Sequence, residues 1–321
     1  MMTIVWYRAE NINKERLISM PFKDVEDVRA KLEDARYIPS KEIATVVFLA
    51  SVTKKPVLVE GPAGVGKTEL AKAVAKGLDR ELIRLQCYEG LDEAKALYEW
   101  EYAKQLLYTQ MVKDKINDVI TGARTMSEAV DRIAMQEDAF FSERFILPRP
   151  LLKAISSDEP VVLLIDEVDK SDPEFEAFLL ELLSDFQVTI PEIGTKKAIN
   201  IPFVFLTSNN YRDMSDALKR RCVHIYIDYP DRELEIRIVK LKIPGIDDRL
   251  AAKIVDSVRK IREYDLKKRP CISETLDWAQ SLIALQVEEL SSDVIMQTLN
   301  MIVKYRSDTE AVRDNLEHIA S

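Results

Sequence analysis

The pattern of apolar and polar positions splits the chain near residue 230. Before that point short runs rich in apolar residues recur at 57–59, 82–86, 161–165, 203–206 and 223–228, and each reads as a strand. The run at 161–165 has no polar interruption, the mark of a strand covered on both faces of a parallel sheet. Helical periods lie between them: weakly over 25–32, then over 41–53, with Ser40 as N-cap, and over 69–76, with Gly77 as the residue past its end. The 41–53 segment is apolar nearly all round and is expected to be buried. Asp172 and Pro173 open a helix running to 186, and another short helical stretch begins near Ser215. Residues 187–190 and 198–201, around a turn at Gly194, read as a β-hairpin. After Pro230-Asp231 strand signals almost vanish. Helices are expected at 232–242, 247–263, 274–289, 293–304 and 308–320, capped by Asp231, Asp247, Ser273, Ser292 and Ser307, the last in a capping box with Glu310.

Glycine placement adds chemistry to this pattern. The chain holds eight glycines, yet Gly61, Gly64 and Gly66 fall within six positions, directly before Lys67 and Thr68. The segment Gly61, Pro62, Ala63, Gly64, Val65, Gly66, Lys67, Thr68 fits G-x-x-x-x-G-K-[ST], and Glu69 continues it into a helix. Residues lacking a Cβ let backbone N–H groups curl into an anion-binding nest, and the following helix adds the positive end of its dipole. Lys67 is expected to reach the β- and γ-phosphates and the Thr68 hydroxyl to hold Mg²⁺, so ATP or GTP with Mg²⁺ is the implied ligand.

Two carboxylates, Asp166 and Glu167, end the 161–165 strand, where ligands bind in open α/β sheets. Asp166 suits Mg²⁺, and Glu167 suits polarising an attacking water. Thr207-Ser208-Asn209-Asn210 ends the next strand and offers an amide for the γ-phosphate or its water, while Lys219-Arg220-Arg221 offers an arginine finger. With only two histidines, His224 and His318, histidine catalysis and a histidine metal cluster are unlike this chain, and His224 reads as a strand residue with a satisfied ring. Residues 91–147 carry helical signals without strand alternation: Leu97, Trp100, Leu107 and Met111 recur at mostly helical spacing, and 125–128 matches a capping box. A compact nucleotide domain does not need them, so they read as an insertion.

Composition narrows the partners. A formal charge of −9 and a pI near 5.1 argue against broad binding of a phosphate backbone. Cys87, Cys222 and Cys271 are too scattered for a zinc site or a disulfide framework, which suits a reducing cytosol. Residues 1–20 contain no apolar signal region, and the longest uncharged run, 43–53, is too short to span a bilayer. A cytoplasmic location is therefore expected. The length allows about two domains.

Taken together, GPAGVGKTELAKAVA, LLIDEVDKSDPEFEAFLLELLSDFQVTIPEIG and LTSNNYRDMSDALKRRC resemble the AAA+ ATPases, and within them the MoxR family. YEGLDEAKALYEW and KRPCISETLDWA look most like its CoxD-like branch, associated with maturation of carbon monoxide dehydrogenase and related metalloenzymes. The resemblance implies an α/β P-loop core at 22–230 with a parallel five-stranded sheet, a helix-2 insertion at about 91–147 and a pre-sensor hairpin at about 187–201. An N-terminal extension over 1–21 and an α-helical lid over 231–321 complete the expected domains. It further implies a hexameric ring with ATP between subunits, Walker residues Lys67, Thr68, Asp166 and Glu167, Asn209 as sensor 1 with Asn210 competing, and Arg221, or alternatively Arg220, as the finger reaching the neighbour. Tyr37 and Ile38 are implied to line the adenine pocket. Where relatives place a lid arginine this chain reads Pro270-Cys271-Ile272-Ser273, leaving Lys268 or Arg269 to substitute. The implied activity is that of a remodelling motor on a protein client, with a von Willebrand factor A domain protein as a possible partner. A nucleic-acid motor, using Lys196 and Lys197, and a non-hydrolysing scaffold are the competing expectations.

Overall fold

The computed structural model describes residues 20–111, 125, 143–191 and 193–320. Among the described residues, helices α1 (Val25–Asp34) and α2 (Lys41–Thr53) come first, each with a side-chain cap: Asp24 accepts from the Asp27 amide, and Ser40 Oγ from the Ile43 amide at 3.1 Å. Strand β1 (Val57–Glu60) leads through the glycine segment into α3 (Lys67–Gly77), and β2 (Leu82–Gln86) follows. Then come α4 (Glu93–Leu97), β3 (Tyr98–Trp100), α5 (Tyr102–Met111), β4 (Ile146–Pro148) and α6 (Pro150–Ile155). Strand β5 (Val162–Asp166) is buried at every position, and α7 (Pro173–Asp185), β6 (Gln187–Ile190), β7 (Gly194–Lys197), β8 (Phe203–Ser208), α8 (Asp216–Arg221) and β9 (Val223–Tyr226) follow it.

Five parallel strands form one sheet in the order β2-β5-β8-β1-β9, as the unbroken apolar runs anticipate. Registers place Leu82 opposite Val162, Val162 opposite Phe203, and Val57 opposite Val223. The rest of the chain is helical: α9 (Arg232–Lys242), α10 (Asp248–Glu263), α11 (Ile272–Ala284), α12 (Ser292–Thr298), α13 (Arg306–Asp314) and α14 (Leu316–Ala320). Their apolar faces share one core around Trp278, whose indole N–H donates to Thr298 Oγ1 at 2.8 Å. Truncating so large a buried side chain to alanine costs about 3–5 kcal/mol. The chain packs as two compact units. One gathers the residues up to Asp79 with Thr207–Tyr211 and Val223–Ser321; the other gathers Arg80–Leu206 with Arg212–Cys222.

Several local expectations change. The hairpin returns through Gly194–Lys197, not 198–201, because Ile190 pairs with Gly194 and Gln187 with Lys197; Ile199 and Ile201, whose apolar character suggested strand, are exposed. Helix α2 is buried along Ile43, Ala44, Val47 and Ala50, but Leu49 and Val52 face outward. Gly77 lies inside the last turn of α3. A Cβ there would meet Lys31 at 3.1 Å, so close packing on α1 rather than a left-handed cap explains the glycine.

In the C-terminal helices the caps are Cys271, Ser291 and Tyr305 rather than Ser273, Ser292 and Ser307. Helical period alone does not locate these starts: Ser291 Oγ accepts from the Val294 amide and the Cys271 amide donates to Glu274, whereas Tyr305 makes no side-chain capping bond. At the two ends of the 91–147 stretch, β3 and β4 pair antiparallel, Tyr98 with Pro148 and Trp100 with Ile146. Three residues a side are too short to show alternation. Leu97 is buried in α4, whereas Leu107 and Met111 are exposed. Residues 126–128 of the expected capping box and most of the 1–21 extension lie outside the described residues.

Candidate functional site

The phosphate-loop segment belongs to the first unit and is shaped by backbone that side chains would disturb. Gly64 and Gly66 have φ of +72° and +99°, and a Cβ on Gly61 would fall 2.0 Å from the Ile227 carbonyl oxygen. Gly66 is the residue before α3, so the loop delivers the amides of the first helical turn to one spot. Lys67 is only 6% exposed, and its ammonium donates to the Gly61 and Pro62 carbonyls at 2.7 and 2.5 Å. Thr68 and Glu69 are half-buried on the same turn.

Beside this loop lies a pocket of ≈ 320 Å³. Tyr37, Ile38, Val65, Glu69, Tyr229, Ile272 and Leu276 are among the residues that line it. Its apolar walls suit a flat heterocycle. Desolvation, and after it the charge of Glu69, raises the pKa of the Tyr37 phenol. Burial would raise Glu69 as well, but ion pairs with Lys72 at 2.8 Å and Lys242 at 3.3 Å outweigh it and hold that carboxyl below the usual range. Cys271, the N-cap of α11, presses on the loop so closely that a Cβ on Gly64 would stand 2.1 Å from its Sγ. Lys268, one of the two residues expected to replace a lid arginine, instead pairs with Glu274 at 2.8 Å; Arg269 is exposed.

In the same unit Asn209 follows β8 directly and is half-buried. Asn210 takes the left-handed conformation at φ +59° and its amide donates to Ser208 Oγ at 3.1 Å, which is the turn-forming use of asparagine. His224 Nε2 sits 2.6 Å from Glu60 Oε2, the satisfied ring expected of it.

The second unit carries the acidic pair. Asp166 is 3% exposed at the end of β5, and Arg84 grips its Oδ2 through Nε at 3.0 Å and Nη2 at 2.6 Å. Glu167 is held at φ +56° and accepts from Gln86 Nε2 at 2.8 Å and Lys170 Nζ at 2.7 Å. A left-handed glutamate costs about 1–2 kcal/mol, strain of the kind that clusters at working sites. Arg220 and Arg221 stand exposed at the end of α8, whose N-cap Ser215 donates its amide to buried Glu176 at 3.1 Å; the Arg221 guanidinium touches Ser184 Oγ. Sequence reasoning missed Arg84 and Gln86, although polar residues two apart in a strand share a face and were the available signal. It also missed Tyr229 and the Cys271 contact, which no local pattern announces.

A glycine-shaped loop at a helix N-terminus, on a parallel sheet with carboxylates ending a buried strand, defines a P-loop nucleotide-binding protein. Residues 57–229 match the model of the ATPase family associated with various cellular activities (AAA), and the chain belongs to that family. Nucleotide binding and ATP hydrolysis are the general chemistry of its members. The chain is similar to gas vesicle ATPase GvpN of Haloferax mediterranei, 25% identical over 308 residues covering 88% of this chain and 82% of that protein. Gas vesicle ATPase GvpN2 of Halobacterium salinarum is 26% identical over 277 residues, covering 82% and 73%. Among solved structures, the Thermotoga maritima RuvB Holliday junction branch migration motor aligns with a TM-score of 0.45 and 16% identity, over 85% of this chain and 72% of that one. Among the described residues no helix is long and apolar enough to cross a membrane, and no cluster of histidine, cysteine and carboxylate is arranged to hold a metal.

Proposed function

We propose that this chain is a Mg²⁺-dependent ATPase of the MoxR type that assembles into a hexameric ring and remodels a protein client. The observation that carries the reading is the buried Lys67 ammonium, folded onto carbonyls of its own glycine-shaped loop beside an apolar pocket. A desolvated cation so placed is stabilised by trading those carbonyls for phosphate oxygens. Because all five strands are parallel, the segments after β1, β5 and β8 leave from the same edge of the sheet.

On this reading the backbone N–H groups of residues 63–68 cradle the phosphates and Tyr37 and Ile38 flank the base. Thr68 hydroxyl and Asp166 carboxylate give an all-oxygen donor set, the chemistry Mg²⁺ takes; when bound, the ion would neutralise phosphate charge. Glu167 orients the attacking water and takes its proton, Asn209 contacts the γ-phosphate or that water, and Arg221, rather than Arg220, reaches the neighbouring subunit's nucleotide. The 22–230 core and the 231–321 lid then form one working unit per subunit.

Two client classes are in play. The YEGLDEAKALYEW and KRPCISETLDWA segments support the CoxD-like branch and a client metalloenzyme undergoing maturation, with a von Willebrand factor A domain protein as helper. The similarity to GvpN favours a gas vesicle protein. The Glu167→Gln chain should bind ATP with Mg²⁺ in calorimetry while releasing almost no phosphate. Turnover at the parent rate would remove Glu167 from the chemistry, and absence of ATP and ADP binding by the parent would end the motor reading. Client capture by the same variant decides between a metalloenzyme subunit and a gas vesicle protein.

A further inference from the structure

The most deeply buried carboxylate of the C-terminal helices is Glu235, in the first turn of α9 and 0% exposed. Arg262 on α10 meets it with two parallel bonds, Nη1 to Oε2 at 2.8 Å and Nη2 to Oε1 at 2.7 Å. Thr275 Oγ1 adds a third at 3.2 Å, and Arg259 Nη1 stands 4.0 Å away. A buried ion pair does little for stability that two apolar side chains would not do as well. These arginines, however, do something apolar residues cannot. Arg262 Nε donates to the Pro270 carbonyl at 2.7 Å, and its guanidinium lies 5.0 Å from the centre of the Tyr229 ring. Arg259 Nη1 donates to the Pro230 carbonyl at 3.1 Å.

The two segments so gripped are far apart in sequence. Tyr229-Pro230 follows β9, and Pro270 precedes Cys271, the N-cap of α11. Both border the apolar pocket: Tyr229 and Pro230 on one stretch of wall, Ile272 and Ser273 on another. The second wall is also the one that presses on the phosphate loop, through Cys271 against Gly64.

We propose that Glu235, Arg259 and Arg262 form a positioning clasp for the nucleotide, tying the strand exit at 229–230 to the turn at 270–273 so that the pocket's two walls hold one spacing over the phosphate loop. This rests on the pocket being the nucleotide's. None of the three touches the reacting atoms; their effect passes through Tyr229, Pro230 and Pro270. Losing the clasp therefore weakens nucleotide binding more than it slows the chemical step.

The test compares the full-length parent, Arg262→Lys and the paired change Glu235→Leu with Arg262→Met, which replaces the ion pair by apolar residues of similar size. The paired variant should melt close to the parent, bind ADP about tenfold or more weakly in calorimetry, and keep kcat at saturating ATP within about twofold. Arg262→Lys retains the charge but not the fork, and should also weaken ADP. A paired variant that melts with the parent and binds ADP equally well overturns the clasp. Hydrogen exchange on the unaltered chain settles the matter should both variants misfold: ADP should protect 227–231 and 268–273 together with the phosphate loop. Protection of the loop with only one segment, or neither, overturns the proposal. Absence of ADP binding by the parent removes the nucleotide reading itself.

Discussion

Replacing Gly64 with alanine should damage both the stability of the first unit and its nucleotide affinity, and the structure separates the two causes. At φ +72° any L side chain in this position carries a left-handed penalty of about 1–2 kcal/mol. The new methyl would also fall 2.1 Å from Cys271 Sγ and 2.6 Å from Cys271 Cβ. Cys271 cannot retreat cheaply, because its amide donates to Glu274 at 2.7 Å and its carbonyl accepts from Thr275 Oγ1 at 3.1 Å. Overpacking of this kind costs about 1–3 kcal/mol. The total is roughly 2–5 kcal/mol, read as a lowered urea midpoint at unchanged slope. Adding Cys271→Gly removes both clashing atoms, and glycine is tolerated at an N-cap. The double variant should therefore regain about 1–3 kcal/mol and no more, since the left-handed penalty stays. Parent-like unfolding by Gly64→Ala, or no recovery on adding Cys271→Gly, would show that the turn at 270–273 does not press on the glycine loop.

Further outcomes follow from other parts of the structure. Lys67→Ala and Arg221→Ala chains, each inactive alone, should recover partial ATPase activity when mixed; no recovery in demonstrated mixed rings would count against an arginine acting on a neighbour. The Glu274 carboxyl, which burial would raise, is held below its usual range by Lys268 and the Cys271 amide. Its contribution is present above the ordinary value of 4.5 and disappears as pH falls through the lower folded value. Glu274→Gln should therefore melt below the parent at neutral pH, with the gap closing under acid; a gap constant down to acid unfolding contradicts this. The Cys87 thiol is pushed up to about 12 by burial and then by the charges of Asp166, Asp169 and Glu167. It should resist iodoacetamide in the native protein at mildly alkaline pH, as mass spectrometry after digestion would show.

Much of the core was legible because its signals are local. An unbroken apolar run such as 162–165 has few solutions other than a doubly covered strand, and three glycines before Lys67 have few uses other than a tight anion-binding turn. Ser40, Asp231 and Asp247 announce helix starts because the capping bond spans only two or three residues. The hairpin register and the β3–β4 pair were not legible, since pairing partners only three or four residues long leave almost no period to read.

By itself, then, the sequence determined which segments become strand, loop and helix in the sheet-bearing half, and which residue types stand ready for phosphate and metal. Those choices follow from backbone sterics and from burial along one segment at a time. Tertiary structure alone decided that Arg84 closes on Asp166 across 82 residues, that Arg262 reaches Glu235 across 27, and that Cys271 comes to rest on Gly64. Such contacts depend on how whole elements stack, and a chain of side chains read in order carries no term for the distance between faces that meet only after folding.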